Sequence, residues 1–268
     1  MKKNGGARLA AVPLQRTCIY SMFKHAIIVG ASAGIGAAIA RQLGREGCAV
    51  ALVARRGDAV KAIAAQINAE AKQPLARAYQ HDVLDVGQAE GLFQEITRDI
   101  GGLDLIIFAA GAMPAVAPDE YNIEKDALIL DVNVRGAFAW LNEAARRFQR
   151  VGRGTIVGIS SIAGDRGRRG NPAYCTSKAA LNTYLESLRN RVARFGVKVV
   201  VAKPGFVDTD MTKGMPGLFW LISAERAAEL ILKAAKRGKK TAYIPARWRF
   251  VGTVIRFFPS FIFRRLNI

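Results

Sequence analysis

From His25 onward, short apolar runs rich in β-branched residues alternate with longer stretches whose apolar positions recur at helical spacing. Ala26–Val29, Cys48–Val53, residues 75–80, Leu105–Phe108, Thr155–Ile159, Val197–Val201 and Thr241–Ile244 read as strands. Between them, helices are expected over Ile35–Leu43 and over residues 58–71, 87–99, 122–150, 173–195 and 223–236. Strands without polar alternation are buried on both faces, and the intervening helices supply the cover. Right-handed crossovers then give an α/β fold: a doubly wound, seven-stranded parallel sheet with helices on both faces, in a single domain. In this architecture ligands sit beyond the carboxyl ends of the strands, so the residues just after each strand are where chemistry is sought.

After the first strand stands Gly30-Ala31-Ser32-Ala33-Gly34-Ile35-Gly36, running straight into a helix. Glycines there let the backbone approach a pyrophosphate, and a helix N-terminus offers unpaired N–H groups to receive it. The spacing is G-x-x-x-G-x-G, and a close-packed strand-to-helix turn would explain the same glycines. The second strand ends in Arg55 and Arg56 with no carboxylate. Two guanidiniums suit a ribose 2′-phosphate, which favours NADP(H) over NAD(H), although a solvated basic turn reads the same way. Asp82, after the third strand, could accept from an adenine amino group or merely cap a turn. Tyr174 and Lys178 stand four apart at the start of a helix, hence on one face, where the ammonium would favour the ionised phenol. Ser161 ends the fifth strand, and Asn133 lies in the preceding long helical region.

The 268 residues include 51% hydrophobic residues and 26 glycines, enough for a sizeable core and unlike a disordered chain. Lys plus Arg is 40 against 21 for Asp plus Glu, a net +19 that suits anionic partners. Ten of the cations lie in residues 1–25 and 246–268, where there is no acid, so the body is an ordinary basic domain. No zinc-finger spacing or RNA-recognition aromatic signature is present, and no nucleic-acid partner is expected. Cys18, Cys48 and Cys175 form no C-x-x-C pair, which points to a reducing, cytoplasmic setting. No apolar run is long enough to span a membrane, and Pro13, Gln15, Arg16 and Thr17 interrupt any signal-peptide core. The expected organisation is a basic flexible tail over 1–21, a catalytic domain over 22–245 and a basic, aromatic extension over 246–268. Met22 is a candidate natural start.

Taken in order, Gly30 to Gly36, Asp82-Val83, Asn133-Val134, Ile159-Ser160-Ser161-Ile162-Ala163-Gly164, Tyr174-Cys175-Thr176-Ser177-Lys178 and Pro204-Gly205-Phe206-Val207-Asp208-Thr209 resemble the short-chain dehydrogenase/reductase family. The resemblance covers about residues 24–245. It implies a Rossmann-type sheet in the order 3-2-1-4-5-6-7 and a homodimer or homotetramer paired through the long helices. By the same resemblance Asn133, Ser161, Tyr174 and Lys178 would be the catalytic four. Tyr174 would act as general acid or base, with its pKa lowered by Lys178 and the oxidised nicotinamide. Ser161 would bind the carbonyl oxygen, Lys178 would also hold the nicotinamide ribose, and Asn133 would place a water. Cofactor contacts would run through Gly30, Ser32, Ala33, Gly34, Ile35, Gly36, Arg55, Arg56, Asp82, Val83, Ala110, Gly111, Tyr174, Lys178, Pro204, Gly205, Val207 and Thr209, the last two facing the carboxamide. No metal is expected. Where the family often reads Asn-Asn-Ala-Gly after the fourth strand, this chain has Phe108-Ala109-Ala110-Gly111. It thus lacks an amide that in the family steadies the neighbouring strands and the adenosine side.

The expected function is therefore NADP(H)-dependent hydride transfer between nicotinamide and a small-molecule carbonyl or alcohol substrate, apolar or lipid-like in view of Met211, Met215, Leu218, Phe219, Trp220 and Leu221. Those residues could equally form a packing helix. A non-catalytic NADPH-binding sensor or scaffold is the alternative, and it would be expected to lack Tyr174 or Lys178. Arg166, Arg168 and Arg169 could attract an acidic substrate or only solvate a loop. Cys175 could be reactive or simply pack. On a helical period the extension sets Arg249, Thr253, Arg256, Ser260 and Arg264 on one stripe beside two apolar ones. It either lies on anionic lipid as a peripheral contact, with a break at Pro259, or packs on its own body or a partner subunit.

Overall fold

A computed structural model describes residues 22–117, 119–215 and 217–265; the basic tail expected over residues 1–21 and the last three residues of the extension lie outside these. The chain runs β1 (His25–Val29), α1 (Gly34–Arg45), β2 (Ala49–Ala54), α2 (Gly57–Ala71), β3 (Ala76–Gln80), α3 (Ala89–Asp99) and β4 (Leu105–Phe108). It continues through α4 (Ile123–Leu130), α5 (Gly136–Val151), β5 (Gly154–Ile159), α6 (Pro172–Val192), β6 (Val197–Pro204) and β7 (Val207–Asp208). β8 (Ile222–Ser223), α7 (Ala224–Lys236), β9 (Thr241–Ile244), α8 (Trp248–Phe257) and α9 (Ser260–Phe263) complete it. The main sheet is parallel throughout, in the order β3-β2-β1-β4-β5-β6-β9. All seven expected strands are present in the expected order.

Two cores sandwich the sheet, because successive strand side chains point to opposite faces. Ala26 and Ile28 of β1 join Leu105 and Ile107 of β4 under α1, α2 and α7. Ile27, Val29, Ile106 and Phe108 face α3, α5 and α6, where Trp140 and Phe148 are fully buried. The long helical region departs from a single helix: residues Asp131–Arg135 form a π-helical turn between α4 and α5, and it carries Asn133. Such turns recur at functional sites because they re-aim backbone groups. The described residues between 209 and 221 form no helix; β7 and β8 pair as a small parallel ribbon at either end of that segment. The extension breaks at Pro259, between α8 and α9, as its sequence predicts.

Candidate active site

The turn after β1 is shaped by two glycines. A Cβ on Gly30, whose φ is +89°, would lie 2.3 Å from the Ala110 nitrogen, and one on Gly36 would lie 2.2 Å from the Gly30 oxygen. Only bare backbone lets the turn nest against the end of β4 while α1 packs on the turn. α1 begins with no side-chain cap and no acidic residue in its first turn, so its leading N–H groups await an external acceptor. Arg56 donates from Nε to Ser32 Oγ at 3.2 Å, and Arg55 pairs with Asp82 at 3.7 Å. Arg56 therefore sits beside the turn, and Arg55 stands with Asp82 after β3. Asp82 also accepts the Leu84 N–H at 3.1 Å, so it caps a turn as well as holding Arg55. Across the cleft, a Cβ on Gly34 would come within 3.0 Å of Thr209 Cγ2, which places the segment after β6 over the turn. An uncapped helix N-terminus, a glycine cradle and the Arg56 guanidinium beside them fit a phosphorylated dinucleotide.

At the carboxyl end of β5, Ser161 accepts the Ala163 N–H at 3.1 Å, which fixes its oxygen. Its hydroxyl lies close enough to the Tyr174 phenol to draw the phenol pKa down. Tyr174 is held by the start of α6, where Pro172 is pre-set for the first turn and Asn171 accepts the Tyr174 N–H at 3.0 Å. Burial pushes the phenol up to about 12, against the opposing pull of the Ser161 hydroxyl and the Arg168 charge. In the protein without cofactor the cost of burying a phenolate thus outweighs the Arg168 charge, while the expected lowering by Lys178 and the oxidised nicotinamide concerns the bound state. Lys178 is itself pushed down to about 8 by burial. Its Nζ lies 5.5 Å from the Tyr174 ring centroid and donates to the Ile159 oxygen at 3.0 Å. An ammonium has three donors, so two remain for a ligand.

Asn133 is fully buried. Its Oδ1 accepts the Ala112 N–H at 2.7 Å, while Nδ2 donates to the Ala112 oxygen at 3.1 Å and to Ser177 Oγ at 2.9 Å. Ser177 in turn donates to the backbone carbonyl oxygen of Tyr174 at 2.8 Å. The side chain thus clamps the loop after β4 to α6, and both its N–H donors are spent. Gly111 lies at the centre of the constellation: a Cβ there would sit 3.4 Å from Asn133 Oδ1 and 3.6 Å from Lys178 Nζ. Ser161, Tyr174, Lys178 and Asn133 are therefore brought together. Ala109, where the family often has an amide, donates its N–H to the Val29 oxygen at 2.7 Å, so the backbone alone ties β4 to β1 here.

Further residues around the site carry no local sequence signal. Buried Lys203 pairs with Asp165, whose other oxygen accepts the Tyr243 hydroxyl at 3.0 Å. This links the loop bearing Ser161 to β6 and β9. Arg166 is spent on the extension: it donates to the Ile255 oxygen at 2.8 Å, to the Phe258 oxygen and to Ser260 Oγ at 2.9 Å. Cys175 is buried and packs. Trp248 lies over Gly205, where a Cβ would fall 2.0 Å from its ring, and touches Phe206 and Phe219 at centroid distances of 5.4 and 5.1 Å.

A family model of short chain dehydrogenases matches residues 24–216. An uncharacterized oxidoreductase of Staphylococcus epidermidis is 32% identical over 191 residues, covering 71% of this chain and 81% of that protein. Among solved structures, a short-chain type dehydrogenase/reductase from Mycobacterium marinum superposes with a TM-score of 0.76 at 27% identity, over 84% of this chain and 94% of that one. ElxO with NADP bound gives a TM-score of 0.76 at 22% identity, over 85% of this chain and all of that one, a likeness of fold.

Proposed function

This chain belongs to the short-chain dehydrogenase family and is a nicotinamide-dependent oxidoreductase; from that premise we propose that it is an NADPH-dependent reductase of apolar ketones or aldehydes. The observation that carries this reading is the buried phenol of Tyr174, protonated at neutral pH beside the Ser161 hydroxyl and the Lys178 ammonium. A group in that state is a ready proton donor.

The turn Gly30 to Gly36 and the N-terminus of α1 would hold the pyrophosphate. Arg55 and Arg56 would take the 2′-phosphate, Asp82 and Val83 would border the adenine, and Ala110 and Gly111 would line the floor of the cleft. Lys178 would bind the nicotinamide ribose through its two spare donors, and Pro204, Gly205, Val207 and Thr209 would border the carboxamide. When bound, reduced nicotinamide supplies the hydride that makes the new C–H bond. Tyr174 gives its proton to the carbonyl oxygen, which becomes the hydroxyl of the product alcohol. Ser161, its oxygen fixed by the Ala163 N–H, turns its hydrogen toward that oxygen as negative charge builds there. The Lys178 ammonium then steadies the phenolate left on Tyr174. Asn133 acts as a positioning residue, holding the loop after β4 against α6. Apolar substrates are favoured by Met211 and Met215, both exposed in the segment after β7, and by Phe219, Trp220 and Leu221 beyond them.

The 2′-phosphate reading has a direct test in fluorescence titration with NADPH and NADH. Arg55→Ala should weaken NADPH binding about tenfold or more, roughly the worth of one charge-assisted hydrogen bond, and leave NADH unchanged. Equal loss of both nucleotides would remove the phosphate role.

A further inference from the structure

An ordinary surface helix packs its apolar face and shows its polar face to water. α8 packs one face and shows a second apolar face. Trp248 is 3% exposed, and Gly252 is buried where a Cβ would lie 2.7 Å from Asp165 Oδ2. About half a turn round the helix, at roughly 100° per residue, Phe250, Val254 and Phe257 are exposed, Phe250 at 72% and Phe257 at 79%. Arg249 and Arg256 run between the two faces. Past the break at Pro259, Phe261 is 62% exposed beside exposed Arg264 and Arg265.

The outward face is held there by a built anchor. Arg166 ties down the last carbonyls of α8 and the first residue of α9, and its guanidinium lies 4.1 Å from the Phe263 ring centroid. On the packed side, Trp248 meets Trp220 edge-on at a centroid distance of 5.6 Å.

We propose that α8 and α9 seat the protein on an anionic lipid bilayer, with Phe250, Val254 and Phe257 in the headgroup region and the arginines on lipid phosphates. Charge selects this occupant. From residue 230 to 268 the sequence has ten lysines and arginines and no Asp or Glu. A two-fold contact with a second copy through this face would set the arginine stripes against each other with no carboxylate on either helix to pair them. At ten residues α8 is too short to cross a bilayer, and no helix among the described residues is long and apolar enough to do so, so the contact is interfacial.

The test is sedimentation of the full chain with vesicles of phosphatidylcholine and phosphatidylglycerol at about 7:3, and with phosphatidylcholine alone. The bound fraction should fall about tenfold or more in the neutral vesicles, in Phe250→Ser/Phe257→Ser, and at about 0.5 M salt. Unchanged circular dichroism would show that the variant is folded; should it not fold, Arg249→Glu/Arg256→Glu gives the same readout. No pelleting with anionic vesicles, or equal pelleting of wild type and a folded variant, overturns the proposal. A dimer in light scattering that the folded phenylalanine variant abolishes, without vesicle binding, would assign the face to a second copy instead. Binding is read without turnover, so its outcome is independent of the reductase reading.

Discussion

Helices α6 and α8 flank the same loop, and each inverts the rule that apolar groups go inside and polar groups outside. They invert it in opposite senses. α6 buries Ser177 and Lys178, whereas α8 exposes Phe250 and Phe257. The inversion in α6 is closed within the chain: Lys178 donates to Ile159, and Ser177 bridges Asn133 and Tyr174. A buried polar group left without a partner costs about 1–3 kcal/mol, so this closure is what allows an ammonium to stand ready for a ligand. In α8 nothing among the described residues covers the second face, and each exposed aromatic forgoes roughly 1.5–3 kcal/mol of burial. An inversion satisfied inside the chain marks a site of chemistry; one left open marks a surface that a partner covers.

The comparison is broken most severely at the phenol. Tyr174→Phe keeps the ring and removes the proton donor, so kcat for NADPH oxidation with a lipophilic ketone should fall by roughly 10²–10⁴. NADPH affinity in a fluorescence titration should hold. A smaller effect is expected at the clamp. Asn133→Ala strands the Ala112 N–H and loosens Ser177, at a cost of about 1–3 kcal/mol in urea unfolding, with turnover reduced alongside. Asn133→Asp keeps the shape and an acceptor for the Ala112 N–H but loses the donors to the Ala112 oxygen and Ser177, so it should recover little of the stability, whereas a purely steric role would let it recover most.

Strands and crossover helices were legible because each is written in a local period, and the cofactor turn and Tyr174 with Lys178 because their spacing is local too. The Asp165, Lys203 and Tyr243 network was not legible, since it joins positions 38 and 78 residues apart. The same holds for Arg166, whose partners lie 89 to 94 residues on. The upward push on Tyr174 in the free protein was not legible for a physical reason: spacing reveals a neighbouring charge but not desolvation, and here desolvation is the larger influence. Amphipathic spacing showed that the extension has two apolar stripes. Only the packing of Trp248 and Gly252 shows which side is used and which is left free.

The central claim is that Tyr174 works as a protonated acid beside a charged Lys178. Burial holds the phenol at about 12 and lowers the ammonium to about 8. In the free protein both groups are therefore in the form that reduction needs below about pH 8. Above it Lys178 loses its proton first. The most direct measurement is kcat/KM for NADPH, with a lipophilic ketone, across about pH 6 to 10, because that quantity reports groups of the free protein. The expected profile is level to near pH 8 and then falls about tenfold per pH unit. A profile that rises through this range would reveal a phenolate acting as base and contradict the assignment.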